Sequence, residues 1–139
     1  SSYSFRFKNS ENKVSIFDDI RKKFIILTPE EWVRQHCICH LVQRFNLPIG
    51  LIAVEREIQV HGLRKRFDIV GFANSGSPLI LIECKATSVE LTQETLIQVA
   101  TYNNKLDSPW MWITNGIQHA WFERKNGKTQ LVAAPEKLI

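Results

Sequence analysis

The strongest constraint on the fold is a pair of apolar, strand-like runs that carry three charges between them. RFDIVGFA (66–73) and PLILIECKA (78–86) flank the small, polar stretch NSGS (74–77), a composition that reads as a hairpin turn. A turn symmetric about those four residues sets Ala73 against Pro78 and, counting back, Asp68 against Glu83. Residues opposite one another in an antiparallel pair have Cβ atoms roughly 4.5–5.5 Å apart and share a face. Glu83 and Lys85, two apart on one strand, share a face as well. The D-x14-E-x-K spacing therefore predicts two carboxylates and one ammonium on a common patch. Both runs are apolar on both faces, the pattern of central strands, where an unpaired carboxylate costs several kcal/mol. Facing carboxylates need a cation or a shared proton, and a divalent metal supplies the charge. The bland alternative is an edge strand with solvent-facing charges and one salt bridge.

A chain of 139 residues with 44% hydrophobic composition suits one domain with a real core. Four Trp and eight Phe exclude a disordered tail. The net charge of +4 tolerates a polyanionic partner without demanding one. Basic clusters at Arg21–Lys23, Arg64–Arg66 and Arg124–Lys128 read first as solvated faces. Cys37, Cys39 and Cys84 make an odd count with no signal peptide, which points to a reducing, cytoplasmic setting. No apolar run reaches the roughly 18 residues of a membrane span, so no membrane partner is expected. The chain opens on Ser, consistent with processing or with a piece of something longer.

Aromatic alternation at Tyr3, Phe5 and Phe7, the polar NSEN stretch (9–12) and VSIF (14–17) suggest a small hairpin or edge strands. Thr28-Pro29-Glu30-Glu31 is a helix start, with Thr at the N-cap, and the helix should run to about Phe45 before Pro48 and Gly50. A strand over 51–60 should put Ile52, Val54, Ile58 and Val60 on one face. Thr87 and Glu90 form a second capping box, predicting a helix from there to about Leu106. Strands are predicted over 110–114, 119–124 and 129–133, with Asn115-Gly116 and Asn126-Gly127 as turns. The order α-β-β-β-α-β-β-β is that of an α/β mixed sheet with helices packed on it.

Asp68, a hairpin, then Glu83-Cys84-Lys85 resembles the catalytic core of the PD-(D/E)XK nuclease superfamily. Gln98-Val99-Ala100-Thr101-Tyr102 is similar to the Q-x-x-x-Y motif of its RecB-like members. TPEEWVRQ (28–35), FDIV, IECKA, QVATYN and ITNG (113–116) together resemble the N-terminal nuclease domain of type I restriction enzyme R subunits, over about residues 24–117. The resemblance implies a restriction-endonuclease-like fold in a single domain over 1–139. A β extension (1–27) would precede a nuclease core (28–117) and C-terminal strands (118–139). It implies an endonuclease hydrolysing DNA phosphodiesters with Mg²⁺, or Mn²⁺ in its place. Asp68 and Glu83 would hold the ion together with the Cys84 carbonyl oxygen, and Lys85 would attend the attacking water. Gln98 and Tyr102, at i and i+4 on one helix face, would touch the DNA backbone or steady the lysine. Their alternative is a polar helix face near the sheet edge. It also implies restriction-modification subunits, or a motor domain in a longer chain, as partners. A double-strand cut by a single-site nuclease favours a homodimer.

Two features stay open and two are excluded. Glu31 is explained by the capping box, yet it continues the stripe Phe45, Leu41/Val42, Ile38, Arg34/Gln35 onto the sheet-facing side, where such nucleases often place a metal-side glutamate. Glu30 has a weaker claim to that place. The chain reads either as an active nuclease or as a catalytically silent nuclease-fold module that binds DNA or assembles with restriction partners. An enzyme acting on RNA or free nucleotides is a third reading. HCICH (36–40) lacks the further close ligands of a structural zinc site. G-x-x-x-x-G-K-[ST] and G-x-G-x-x-G are missing, so nothing in the chain carries an ATP-driven motor.

Overall fold

The amino-terminal hairpin forms as a ribbon that begins at Phe7, with Tyr3 and Phe5 ahead of its first strand. In the computed structural model, which describes residues 3–139, β1 (Phe7–Ser10), β2 (Lys13–Asp18) and β3 (Lys23–Ile26) form an antiparallel three-stranded sheet in that order. Glu11 and Asn12, at φ 51° and 63°, make the left-handed two-residue turn that matches strand twist. Helix α1 (Pro29–Gln43) starts as the sequence predicts, with the Thr28 hydroxyl accepting the Glu31 N–H at 3.0 Å. It ends where Asn46 turns left-handed (φ 56°) and the Leu47 N–H returns to the Leu41 carbonyl at 3.0 Å.

The remaining strands form one six-stranded sheet in chain order: β4 (Ile52–Val60), β5 (Leu63–Phe72), β6 (Pro78–Cys84), β7 (Trp110–Thr114), β8 (His119–Lys125) and β9 (Lys128–Val132). Every neighbouring pair is antiparallel except β6 and β7, which α2 (Gln93–Leu106) connects. A parallel pair needs such a crossover. On one face, Val33, Cys37, Ile38 and Leu41 of α1 pack against Ile69, Ile80, Ile82 and Trp112. On the other, Leu96, Val99 and Leu106 of α2 cover Phe67, Val70, Leu81, Met111 and Ile113. Residues 69, 80, 81 and 82 are wholly buried, each contributing roughly 1.5–3 kcal/mol of transfer free energy. The fold is the expected mixed α/β sheet flanked by helices. Among the described residues no helix is long and apolar enough to cross a membrane.

Three expectations need correction. Helix α2 opens not at Thr87 but at Thr92, whose hydroxyl accepts the Thr95 N–H at 3.2 Å. Residues 86–91 are instead tied down as a loop, the Val89 N–H reaching Ala86 and the Leu91 N–H reaching the Gln118 side chain. Strand β4 does not keep one apolar face. Glu55 sits at φ 53°, which reverses the alternation, so Ile52 and Val54 join the α1 cluster while Ile58 and Val60 join the α2 cluster.

The hairpin turn is also one residue longer than the symmetric one, spanning 73–77. Phe72, not Ala73, pairs with Pro78, and a bulge then restores Gly71↔Ile80 and Ile69↔Ile82. The two offsets cancel, so the register still leads to Asp68 opposite Glu83. Gly71 is required at this irregularity, because a Cβ there would lie 2.7 Å from Leu47 Cδ2 and 2.8 Å from Ile80 Cγ2.

Candidate active site

Asp68 occupies a switch point in β5. Its neighbours point to opposite faces, Phe67 into the α2 cluster and Ile69 into the α1 cluster. The ladder to β6 ends at Ile69↔Ile82, and Asp68 Oδ2 accepts the Cys84 N–H at 2.7 Å. The carboxylate thus takes the ladder's next hydrogen bond and lies in the seam between the strands. The expectation that it shares a face with Glu83 is corrected accordingly. Glu83 points, with Leu81, toward the α2 side, where Lys65 Nζ stands 3.9 Å from Oε1. The two carboxylates remain close enough to interact. Burial pushes the Glu83 carboxyl above its ordinary value, with the Lys65 charge opposing, the Asp68 charge adding and the Lys85 charge opposing.

Lys85 follows the end of β6 directly and is half-buried. Its N–H donates to the Thr114 carbonyl at 2.8 Å, which fixes the backbone where β6 and β7 run parallel. Cys84 between them is held by Asp68 on one side and by pairing with Thr114 on the other. Its thiol is buried and donates to Cys37 Sγ at 4.0 Å. That contact and burial raise the thiol's pKa well above the usual range, so it packs and is no nucleophile.

Glu31 is buried and does not reach the pair directly. Arg34 stands between, with Nη1 3.3 Å from Glu31 Oε1 and Nη2 3.3 Å from Asp68 Oδ1. Glu31 Oε2 accepts from Arg21 at 2.7 Å and from Gln35 at 3.0 Å. Arg21 and Gln35 also hold the wholly buried Asp18. The chain Asp18–Arg21–Glu31–Arg34–Asp68 therefore ties the ribbon, α1 and β5 into one ionic network. Arg21 is a member of it, which corrects the reading of Arg21–Lys23 as a solvated face.

On the far side, the Tyr102 ring lies 5.2 Å from Lys65 Nζ and its hydroxyl donates to the Arg64 carbonyl at 3.4 Å. Tyr102 thus reaches Glu83 through Lys65, while Gln98 is exposed one turn earlier on α2. The sequence reading missed Arg34 and Lys65 as site residues. Arg34 carried a signal: its place on the sheet-facing stripe of α1 demanded buried acidic partners.

Whether this set fits a metal turns on its donors. Among the described residues no three His, Cys, Asp or Glu side chains are grouped to hold an ion. Two carboxylates and a carbonyl remain, all oxygen. That set suits Mg²⁺, which takes one or two carboxylates and keeps several waters. A groove of about 730 Å³ lined by Trp32, His36, His40, Trp112, His119 and Trp121 holds none of these groups.

Comparisons with known proteins bear on the fold and the family. The solved structures include a similar fold, a candidate nuclease belonging to DUF820 from Anabaena variabilis ATCC 29413. It shares 12% identity at a TM-score of 0.53 over 92% of this chain and 85% of that one. No curated protein matches the chain. The family model described as type I restriction enzyme R protein N terminus matches residues 29–136, most of the chain and every element from α1 to β9. The chain therefore belongs to the family of type I restriction enzyme R protein N-terminal domains, a nuclease-like family.

Proposed function

We propose that the chain is a Mg²⁺-dependent endodeoxyribonuclease, the nuclease domain of a type I restriction R-subunit-like protein. The observation that carries this reading is the placement of Asp68 and Glu83 on adjacent strands, with Lys85 immediately beyond the second. Asp68, Glu83 and the Cys84 carbonyl would hold the ion, which when bound supplies charge stabilisation for a phosphodiester under attack by water. Lys85 would donate to that water and hold it in line. Tyr102 would keep Lys65 beside Glu83, and Gln98, exposed on the same helix face, would meet the DNA backbone. Glu31 acts through Arg34 and Arg21 rather than as a ligand. DNA is the substrate this family membership supports, with restriction subunits, a motor domain or a second copy as partners. Three free thiols suit a cytoplasmic setting.

One observation favours a second reading, a silent nuclease-fold module. Each carboxylate already faces a protein cation, Asp68 with Arg34 and Glu83 with Lys65. Plasmid nicking in Mg²⁺ or Mn²⁺ separates the two. The enzyme reading expects nicking by the wild type and a loss of at least about 100-fold in Asp68→Ala and Lys85→Ala, with the fold retained by circular dichroism. DNA binding with no cutting in either metal would establish the module instead.

A further inference from the structure

Arg34 is held in an unusual way. It is buried, and its guanidinium faces three carboxylates at long range: Glu31 at 3.3 Å, Glu55 at 3.5 Å and Asp68 at 3.3 Å. Charge-assisted N–H···O bonds ordinarily close to roughly 2.7–2.9 Å, as Arg21 does on the same Glu31 at 2.7 Å. Among the described residues the buried Arg34 Nε–H has no hydrogen-bond partner. A guanidinium with three carboxylates at 3.3–3.5 Å and an orphaned donor is one that no single carboxylate satisfies.

The backbone supports the same picture. Ladder pairs Val54↔Ile69 and Arg56↔Phe67 bracket Glu55 and Asp68, so these two stand opposite each other without pairing. Glu55 is left-handed, a conformation that costs an L-residue roughly 1–2 kcal/mol. It brings the Glu55 carboxylate to Arg34 and Arg66. Arg34 therefore has an alternative seat between Glu31 and Glu55 that needs no contact with Asp68.

We propose that Arg34 is the resident cation of the Asp68 carboxylate, released toward Glu31 and Glu55 when a divalent ion binds, so that it sets the ion concentration at which the site loads. This rests on the proposed metal site. Arg34 is a positioning residue here: it neutralises Asp68 in the metal-free protein and repels an incoming dication. Loss of the charge removes both effects. Asp68 and Glu83 then attract the ion more strongly, while the metal-free protein loses the partner of a half-buried carboxylate.

Calorimetric titration with Mg²⁺ and with Ca²⁺, and melting curves in chelator and in saturating Mg²⁺, test this on wild type and Arg34→Gln. Arg34→Gln is expected to bind at least about fivefold tighter, from the Coulomb repulsion removed. Its melting temperature should fall below wild type in chelator and recover much of the difference in Mg²⁺. Arg34→Lys, which restores the charge, should return the affinity toward wild type. A merely structural residue would lower both melting temperatures equally and leave affinity unchanged, and that result overturns the proposal. If Arg34→Gln does not fold, the wild type carries the test by nuclear magnetic resonance. The Arg34 Nε–H signal should shift with Mg²⁺ at the same midpoint as thermal stabilisation, and a signal unmoved at saturation overturns the proposal equally. A wild type that binds neither ion sinks the metal site itself, whereas binding with an indifferent Arg34 sinks only this inference.

Discussion

The two faces of the central sheet hold the two acidic residues in contrasting ways. On the α1 face, Asp68 is the end of a buried ionic chain running through Arg34, Glu31, Arg21 and Asp18 to the amino-terminal ribbon. On the α2 face, Glu83 meets one lysine at 3.9 Å, itself partly exposed and lodged over the Tyr102 and Phe67 rings. The first arrangement embeds a carboxylate in a network of several desolvated charges, its own contact to Arg34 a long one at 3.3 Å. The second leaves a carboxylate adjustable, with burial already weighing against its ionised form. Under the proposed function, a doubly charged ion would meet one networked and one more adjustable carboxylate.

The α1 side should break most severely. Asp18 accepts from the backbone N–H groups of Ile20 and Arg21 and from the Arg21 and Gln35 side chains. Asp18→Asn turns an amide toward two donors in the interior, and removing one partner of such a buried pair costs about 3–5 kcal/mol, measurable by urea denaturation. The same residue predicts a pH signature. Burial alone would raise its carboxyl, but the Arg21 N–H, the Arg21 guanidinium and Gln35 together hold it below the usual aspartate range. Its folded value lies below its unfolded value, so its contribution is present at neutral pH and is lost as pH falls through that range. Asp18→Asn should flatten that acid limb, and an unchanged limb would mean the network does not carry the stability assigned to it.

The α2 side should respond mildly in stability and clearly in ionisation. Lys65→Met removes the nearest charge that favours ionised Glu83. Its effect on unfolding should stay within about 1 kcal/mol, as for a partly exposed pair. The Glu83 carboxyl should rise further, so metal binding followed by calorimetry should weaken at a higher pH than in wild type. A loss of stability as large as that of Asp18→Asn would erase the contrast between the two faces.

Much of this was legible in the chain, for reasons tied to particular residues. Thr28 and Pro29 announce α1, and Asn126-Gly127 announces the last hairpin, because caps and left-handed turns have few residue solutions. The strand offset leading toward Asp68 and Glu83 survives a misjudged turn, since the extra residue at the bulge beside Gly71 offsets the extra residue in the turn, although the ladder stops at Ile69↔Ile82. The reversal at Glu55 was hidden, because glutamate carries no local signal for a left-handed backbone. The start of α2 at Thr92 rather than Thr87 was not read, and the Leu91 N–H bond to Gln118 that ties down the preceding loop is a long-range contact that local spacing does not contain. Arg21 and Lys65 looked like surface charge because their partners, Asp18, Glu31 and Glu83, are set by the fold rather than by local spacing.

The claim beneath all of this is that the seam between β5 and β6 seats a divalent ion on Asp68, Glu83 and the Cys84 carbonyl. Crystals grown or soaked with Mn²⁺ and measured at its absorption edge test that directly. The account predicts an anomalous peak bound by those three groups, with the Arg34 guanidinium moved off Asp68. A peak elsewhere, or none there at saturating Mn²⁺ with Arg34 still on Asp68, would contradict it.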